Sequence, residues 1–206
     1  MTLPLRDGPP GLILAGGQAR RLGGVDKALI PFAGMRLIDQ IIDRFAPQVA
    51  GLAVSANGDP ARFADLRVPV LADDAPPSRG PLSGVLAGLV WAKGKGASHL
   101  VTVPVDAPFL PQDLVPRLLW AAEAAAAAGP VAPVLARTAQ GLHPTFALWP
   151  TALAPALAAF LSSGVSPRLR DFAAAQHAGF ADFPSEAEFA NLNTPDDLSR
   201  ARRDAL

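Results

Sequence analysis

The densest chemistry in the sequence lies in the run Leu14-Ala15-Gly16-Gly17-Gln18-Ala19-Arg20-Arg21-Leu22-Gly23-Gly24-Val25-Asp26-Lys27. Its four glycines let backbone N–H groups approach an anion closely, while Arg20, Arg21 and Lys27 bring positive charge to the same place. The pattern reads as a phosphate cradle. It is neither of the two commonest ones: no G-x-G-x-x-G occurs, and Lys27 follows Asp26 with no Ser or Thr after it. A solvated turn with incidental charges is the bland alternative, and the apolar strand pattern before the loop together with its three cations favours phosphate.

Carboxylates and small polar groups sit at comparable places further along. Pro104-Val105-Asp106-Ala107-Pro108-Phe109 follows an apolar run, so Asp106 is pinned between prolines. It reads as a magnesium carboxylate, which needs few protein oxygens when phosphates supply the rest, or as a turn aspartate. Asp73 and Asp74 offer carboxylates in a second loop, or ordinary turn chemistry. Ser55-Ala56-Asn57-Gly58 carries side chains suited to a base edge or a ribose, though alone it is an Asn-Gly turn. His143 has no i, i+4 partner and no G-x-S-x-G elbow, which leaves it structural or substrate-contacting.

These residues need strands to place them. Apolar runs predict strands at Gly11 to Leu14, Leu52 to Ser55, Val68 to Leu71, Leu100 to Val103, Val131 to Leu135 and Thr145 to Leu148. Helical patterns at Leu37 to Phe45, Leu82 to Lys93, Gln112 to Ala128 and Thr151 to Leu161 separate most of them. Thr194-Pro195-Asp196-Asp197 predicts the start of a last helix running to about Ala205, with a capping threonine, proline in the first turn and acids suited to the helix dipole. The alternation implies an α/β chain, a mostly parallel sheet covered on both faces, with ligands beyond the carboxyl ends of the strands. The loops named above lie at those ends.

Composition narrows the class. With 206 residues, no repeat and no Gly/Ser linker, a single domain over 1–206 is expected. Eighteen basic and eighteen acidic residues leave no overall field for nucleic acid or an anionic membrane surface. Cysteine is absent, so thiolate metal sites and cysteine nucleophiles are excluded and any metal needs oxygen or imidazole ligands. The N-terminal MTLPLRDGPP lacks the apolar core of a signal peptide, and no unbroken run suits a membrane span, so a cytoplasmic location is expected.

By its loop Leu14-Ala15-Gly16-Gly17-x-x-x-Arg21-Leu22-Gly23-Gly24-x-Asp26-Lys27, the chain resembles the molybdenum cofactor guanylyltransferases, MobA-like nucleotidyltransferases of the glycosyltransferase-A-like fold. Leu22 stands where methionine is usual, a swap of similar volume. Ser55-Ala56-Asn57, Asp73, Gly80-Pro81-Leu82, Pro104-x-Asp106-x-Pro108-Phe109, His143-Pro144-Thr145 and Asn191-Leu192-Asn193-Thr194-Pro195 resemble further family landmarks in the family's order. Gly16-Gly17 and Gly80-Pro81-Leu82 look more like the guanylyl than the cytidylyl branch.

The resemblance implies a three-layer α/β/α Rossmann-like nucleotidyltransferase domain that transfers GMP from GTP to the phosphate of molybdenum-molybdopterin cofactor. Pyrophosphate would leave and molybdopterin guanine dinucleotide cofactor would form. It implies GTP held by the backbone at Leu14, Ala15, Gly16 and Gly17 and by Lys27, Asp73 and Asp106, with base contacts from Ser55 and Asn57. Ser55 occupies a place where some members carry asparagine. Asp106 would hold Mg2+, the expected cofactor, and Arg21 and Lys27 would clamp the triphosphate and the departing pyrophosphate. Asn191 and Asn193 would complete the metal shell, face the acceptor or cap the last helix. Other cofactor-biosynthesis or molybdoenzyme-maturation proteins are conceivable partners. Two further readings use the same residues: a sugar-1-phosphate or molybdopterin cytidylyl type of nucleotidyltransferase, and a noncatalytic module that binds GTP or the cofactor. Retention of both Asp106 and Lys27 argues against the second.

Overall fold

The computed structural model describes residues 8–16, 26–72, 80–126, 132–163 and 168–204. In chain order the elements are β1 (Gly11–Leu14), β2 (Pro31–Phe32), β3 (Met35–Arg36), α1 (Leu37–Phe45), β4 (Leu52–Ser55), β5 (Val70–Leu71), α2 (Pro81–Gly94), β6 (His99–Pro104), α3 (Leu114–Ala126), β7 (Val134–Thr138), β8 (Gly141–Pro150), α4 (Ala154–Ser162), α5 (Leu169–Ala175), β9 (Gly179–Asp182) and α6 (Pro195–Asp204), with short 3-10 turns between. Seven strands form one sheet in the order β5-β4-β1-β6-β8-β7-β9. Within it β5, β4, β1 and β6 are parallel neighbours, and only β8 runs against the rest, antiparallel to both β6 and β7. The sheet is therefore mostly parallel, as the alternating pattern implied.

The unbroken apolar character of β1 follows from burial on both faces. Ile13 packs with Val54, Val101 and Val103 under α1 and α3, through Ile38, Ile41 and Phe45 and through Leu114, Val115 and Leu118. Leu12 and Leu14 point the other way, joining Ala53 and Leu100 beneath α2, α4 and α5. A Cβ on Gly88 of α2 would stand 2.5 Å from Leu12 Cδ2 and 2.8 Å from Leu100 Cδ2, so glycine lets this helix approach the sheet.

A third, smaller cluster lies off the sheet. Phe32 and Leu37 pack with Leu192, Leu198 and Ala201, and Ile30 and Phe109 lean on them. The Phe32 and Phe109 rings meet edge-on, 5.9 Å apart. This cluster joins the β2–β3 hairpin, the loop after β6 and α6, which come from three distant parts of the chain.

Strands β1 and β4 and helix α1 match the expected bounds. Of the strand expected at Val131 to Leu135, Val131 lies outside the described residues, and β7, Val134–Thr138, begins after Pro133, which has no N–H to give the ladder and serves as an acceptor for Gly179 N at 2.8 Å. The strand expected at Val68 to Leu71 is β5, which begins at Val70, after Pro69, for the same reason. The expected helix at Thr151 to Leu161 starts with a separate 3-10 turn, Thr151–Leu153, before α4. Among the described residues no helix is long and apolar enough to cross a membrane.

Candidate functional site

The carboxyl ends of β1, β4 and β6 lie side by side, and hydrogen bonds continue past them. Ala15 N donates to Ser55 O at 2.8 Å, and Val105 N to Leu14 O at 3.1 Å. Leu14 and Ala15 are consequently buried, and Gly16 is the first exposed residue beyond the strand. Gly17, Arg21 and Asp73, expected in the site, lie outside the described residues.

Among the described residues, Lys27 lies at the centre of the site. It opens the 3-10 turn Lys27–Leu29, which Asp26 caps by accepting from Ala28 N at 3.0 Å. Only 9% of Lys27 is exposed, and lysine is seldom buried without partners. Here it has two: Nζ donates to Asp106 Oδ2 and to Asn193 Oδ1, each at 2.6 Å. The partners are 79 and 166 residues away in sequence, so this convergence is a product of the fold.

Three anchors hold it. Asp106 follows β6 in a turn, and its carbonyl accepts Leu192 N at 2.7 Å, which ties the segment before α6 to the strand end. Leu192 itself is buried in the third cluster. The α6 terminus is a reciprocal cap, in which Asp197 N donates to Thr194 Oγ1 while Asp197 Oδ2 accepts from Thr194 N and Asn193 N. The Thr194 side chain first, and those backbone donors after it, hold the Asp197 carboxyl below the usual carboxylate range. Thr194 and Asp197 thus do the capping, and the Asn193 side chain is spent on Lys27.

At the end of β4, Ser55 is 2% exposed, and its hydroxyl packs where a Cβ on Gly84 of α2 would be. Asn57 is half-buried in the loop that follows, its carbonyl accepting Arg62 Nη2 at 2.6 Å. Arg62 also contacts the capping carboxylate of Asp26, Nε to Oδ2, at 2.5 Å. Nothing in the residue pattern singled out Arg62, because its contact with Asp26 depends on two segments meeting in space.

His143 has partners. At the start of β8, its Nε2 is 3.2 Å from Thr138 Oγ1 and 3.3 Å from Glu186 Oε2, Thr138 donates to Glu186, and the imidazole stacks on Phe189 at 4.4 Å. The cluster fastens the β7–β8 hairpin to the segment leading to Asn193. Arg168 and Arg170 are exposed at the start of α5, the latter 3.5 Å from Asp171.

Among the described residues no group of three or more His, Asp or Glu side chains is placed to hold a metal. The oxygens of Asp106 and Asn193 nonetheless converge on one cation, the Lys27 ammonium. Two hard oxygen donors of that kind suit magnesium when phosphate and water oxygens fill the remaining positions. A cavity of about 630 Å³ lies at the opposite, amino-terminal end of the strands, lined by Pro10, Leu52, Trp91, Lys95 and His99. It is separate from this cluster and at the end of the sheet where ligands of such folds are not expected.

Residues 11–179 match the MobA-like NTP transferase domain. A molybdenum cofactor guanylyltransferase of Cereibacter sphaeroides (strain ATCC 17029 / ATH 2.4.9) is 52% identical over 199 residues, covering 95% of this chain and 98% of the relative. One from Mesorhizobium japonicum is 46% identical over 200 residues, 94% of each chain. In structure the chain is similar to molybdopterin-guanine dinucleotide biosynthesis protein A of Archaeoglobus fulgidus, with a TM-score of 0.68 and 19% identity over 95% of this chain and 98% of that one.

Proposed function

The chain belongs to the MobA-like NTP transferase family, and on that footing we propose that it is a molybdenum cofactor guanylyltransferase acting as one nucleotidyltransferase domain. It transfers GMP from GTP to the phosphate of molybdenum-molybdopterin cofactor. The acceptor phosphate oxygen attacks the α-phosphorus, the bond from that phosphorus to the α,β-bridging oxygen breaks, pyrophosphate leaves with the bond's electrons, and molybdopterin guanine dinucleotide cofactor forms. No covalent enzyme intermediate is needed, so the absence of cysteine is no obstacle.

The observation that carries this reading is the meeting of Lys27, Asp106 and Asn193 at the carboxyl ends of β1 and β6. A buried ammonium with three N–H donors gives two to these partners among the described residues, and a triphosphate oxygen would take the third. The backbone at Leu14, Ala15, Gly16 and Gly17 and the side chains of Arg21 and Asp73 would complete the nucleotide site. Asn57 would meet the base, with Ser55 behind it under α2. Asp106, with Asn193 beside it, would hold Mg2+, which when bound supplies charge neutralisation on the phosphates. The protein's own task is then to hold acceptor and α-phosphorus in line and to offset the charge that develops on pyrophosphate.

The test is incubation of purified protein with Mg2+, molybdenum-molybdopterin cofactor and each of GTP, CTP, ATP and UTP, reading pyrophosphate release and product mass. Guanylylated product from GTP alone is expected. Product from CTP alone would move the chain to the cytidylyl branch, and no pyrophosphate with any nucleotide would sink the catalytic reading.

A further inference from the structure

We propose that Arg62 is a positioning residue that locks the base-reading loop after β4 to the turn carrying Lys27, and so couples nucleobase choice to triphosphate binding. This rests on the nucleotidyltransferase reading and names a residue that neither the loop signature nor the metal site includes.

Arg62 lies in the 3-10 segment Pro60–Leu66, which follows the loop after β4. Its guanidinium reaches in two directions. On one side Nη2 donates to Asn57 O at 2.6 Å and Nη1 to Asp59 O at 2.7 Å, which draws that loop around a single planar fork. On the other, Nε stands 2.5 Å from Asp26 Oδ2. The Nε is buried and its N–H finds no hydrogen-bond acceptor among the described residues, so the link to Asp26 is one of charge. Asp26 spends its other oxygen capping the turn that begins at Lys27. The chain of contacts therefore runs from Asn57 through Arg62 and Asp26 to Lys27 and on to Asp106 and Asn193.

The segment that carries Arg62 is held firmly. Phe63 is 1% exposed in the core under α1, and the Arg62 guanidinium lies 4.6 Å from the centre of its ring. Asp65 pairs with Arg36 Nη2 at 2.6 Å, and the same Arg36 pairs with Asp39 in the first turn of α1. Arg62 is thus a fixed strut between two loops at adjacent strand ends.

Its charge has a second consequence. Asp26 adjoins Lys27, in the region meant for a triphosphate, and a bare carboxylate there repels the nucleotide. Arg62 offsets that charge. The two roles separate by substitution: Arg62→Ala removes charge and fork, whereas Arg62→Lys keeps the charge but cannot serve Asn57 O, Asp59 O and Asp26 in one plane.

The experiment measures melting temperature, equilibrium GTP binding, and kcat and KM with GTP and with ATP for the wild type, Arg62→Ala, Arg62→Lys, Asp26→Asn and the Asp26→Asn/Arg62→Ala double variant. Arg62→Ala should raise KM for GTP about tenfold with kcat within about threefold of wild type, the loss expected of one charge-assisted contact. Adding Asp26→Asn should recover a good part of that KM, because it removes the uncompensated carboxylate yet keeps an oxygen for Ala28 N. Arg62→Lys should keep KM within about threefold but lower the GTP-over-ATP ratio of kcat/KM about tenfold. Arg62→Ala with unchanged KM, or Arg62→Lys with unchanged base preference, would overturn the proposal, the second result deciding it if Arg62→Ala fails to fold. A wild type that binds no GTP would defeat the nucleotidyltransferase reading itself, whereas a wild type that turns over GTP with inert Arg62 variants would defeat this inference alone.

Discussion

The contacts that Lys27 makes in the fold and the nucleotide-binding role proposed for it rest on the same buried charge. Its ammonium is satisfied in the folded chain by a carboxylate and an amide oxygen, so removing either partner leaves a desolvated donor short of an acceptor. Asp106→Asn keeps the shape and one acceptor oxygen but loses the charge. It should fold with a melting temperature close to wild type and lose turnover by about 10²–10³-fold, the scale of removing one electrostatic contact to a transition state. Steady-state pyrophosphate release at saturating GTP reads this directly, and near-normal turnover would reject Asp106 as the metal residue. Asn193→Ala should be milder, raising KM for GTP several-fold while kcat changes less, because a neutral acceptor is lost and the carboxylate stays. The residue types in the Leu14–Lys27 run and at Asp106 were legible in sequence because strand-end position and charge are local properties. The partnership with Asn193 was not, since a residue 166 positions away carries no local sign of where its amide will point.

Among the elements, long buried ones declared themselves and short exposed ones did not. Helix α1 places Ile38, Ile41 and Phe45 on one face at helical spacing, and its ends coincide with the expected bounds. Strand β9 buries only Ala181 and leaves Phe180 and Asp182 outward on a sheet edge, a pattern too weak to read as a strand; across its ladder with β7, Arg137 pairs with Asp182 at 2.6 and 2.8 Å. That contact keeps the Asp182 carboxyl below its usual range. The β2–β3 hairpin escaped notice because each strand has two residues, yet it carries Phe32 into the third cluster. Its turn places Ala33 at φ +47° and Gly34 at φ +86°, the paired left-handed conformation of a two-residue hairpin that favours Asn-Gly. Alanine is strained there, so Ala33→Asn should stabilise by about 0.5–1 kcal/mol, raising the melting temperature by roughly 1–4 °C. Differential scanning calorimetry checks this; a fall would mean that the turn is set by its surroundings and not by residue preference.

At the scale of the whole molecule, two clusters clamp the sheet and a third hangs the hairpin, the Asp106 loop and α6 together over its carboxyl edge. The opposite edge has a different sensitivity. His99 begins β6 with Nδ1 2.9 Å from Ser98 Oγ, and burial lowers its pKa below the ordinary 6.5. The unfolded chain therefore takes up the proton first, so this contribution to stability is present above about pH 6.5 and is lost as pH falls through the folded value. Melting temperature should drop between pH 7.5 and about pH 5.5, and His99→Gln should flatten part of that slope; an identical slope in the variant would show that other groups set it. The sequence by itself determined the α/β alternation, the mostly parallel sheet and the carboxylate at a strand end, because hydrophobic period and proline act over a few residues. Tertiary structure alone decided that Lys27, Asp106 and Asn193 share one point and that Arg62 spans two loops. Those contacts join segments far apart in the chain, Lys27 being 79 positions from Asp106 and 166 from Asn193, and only packing of the three clusters brings them together.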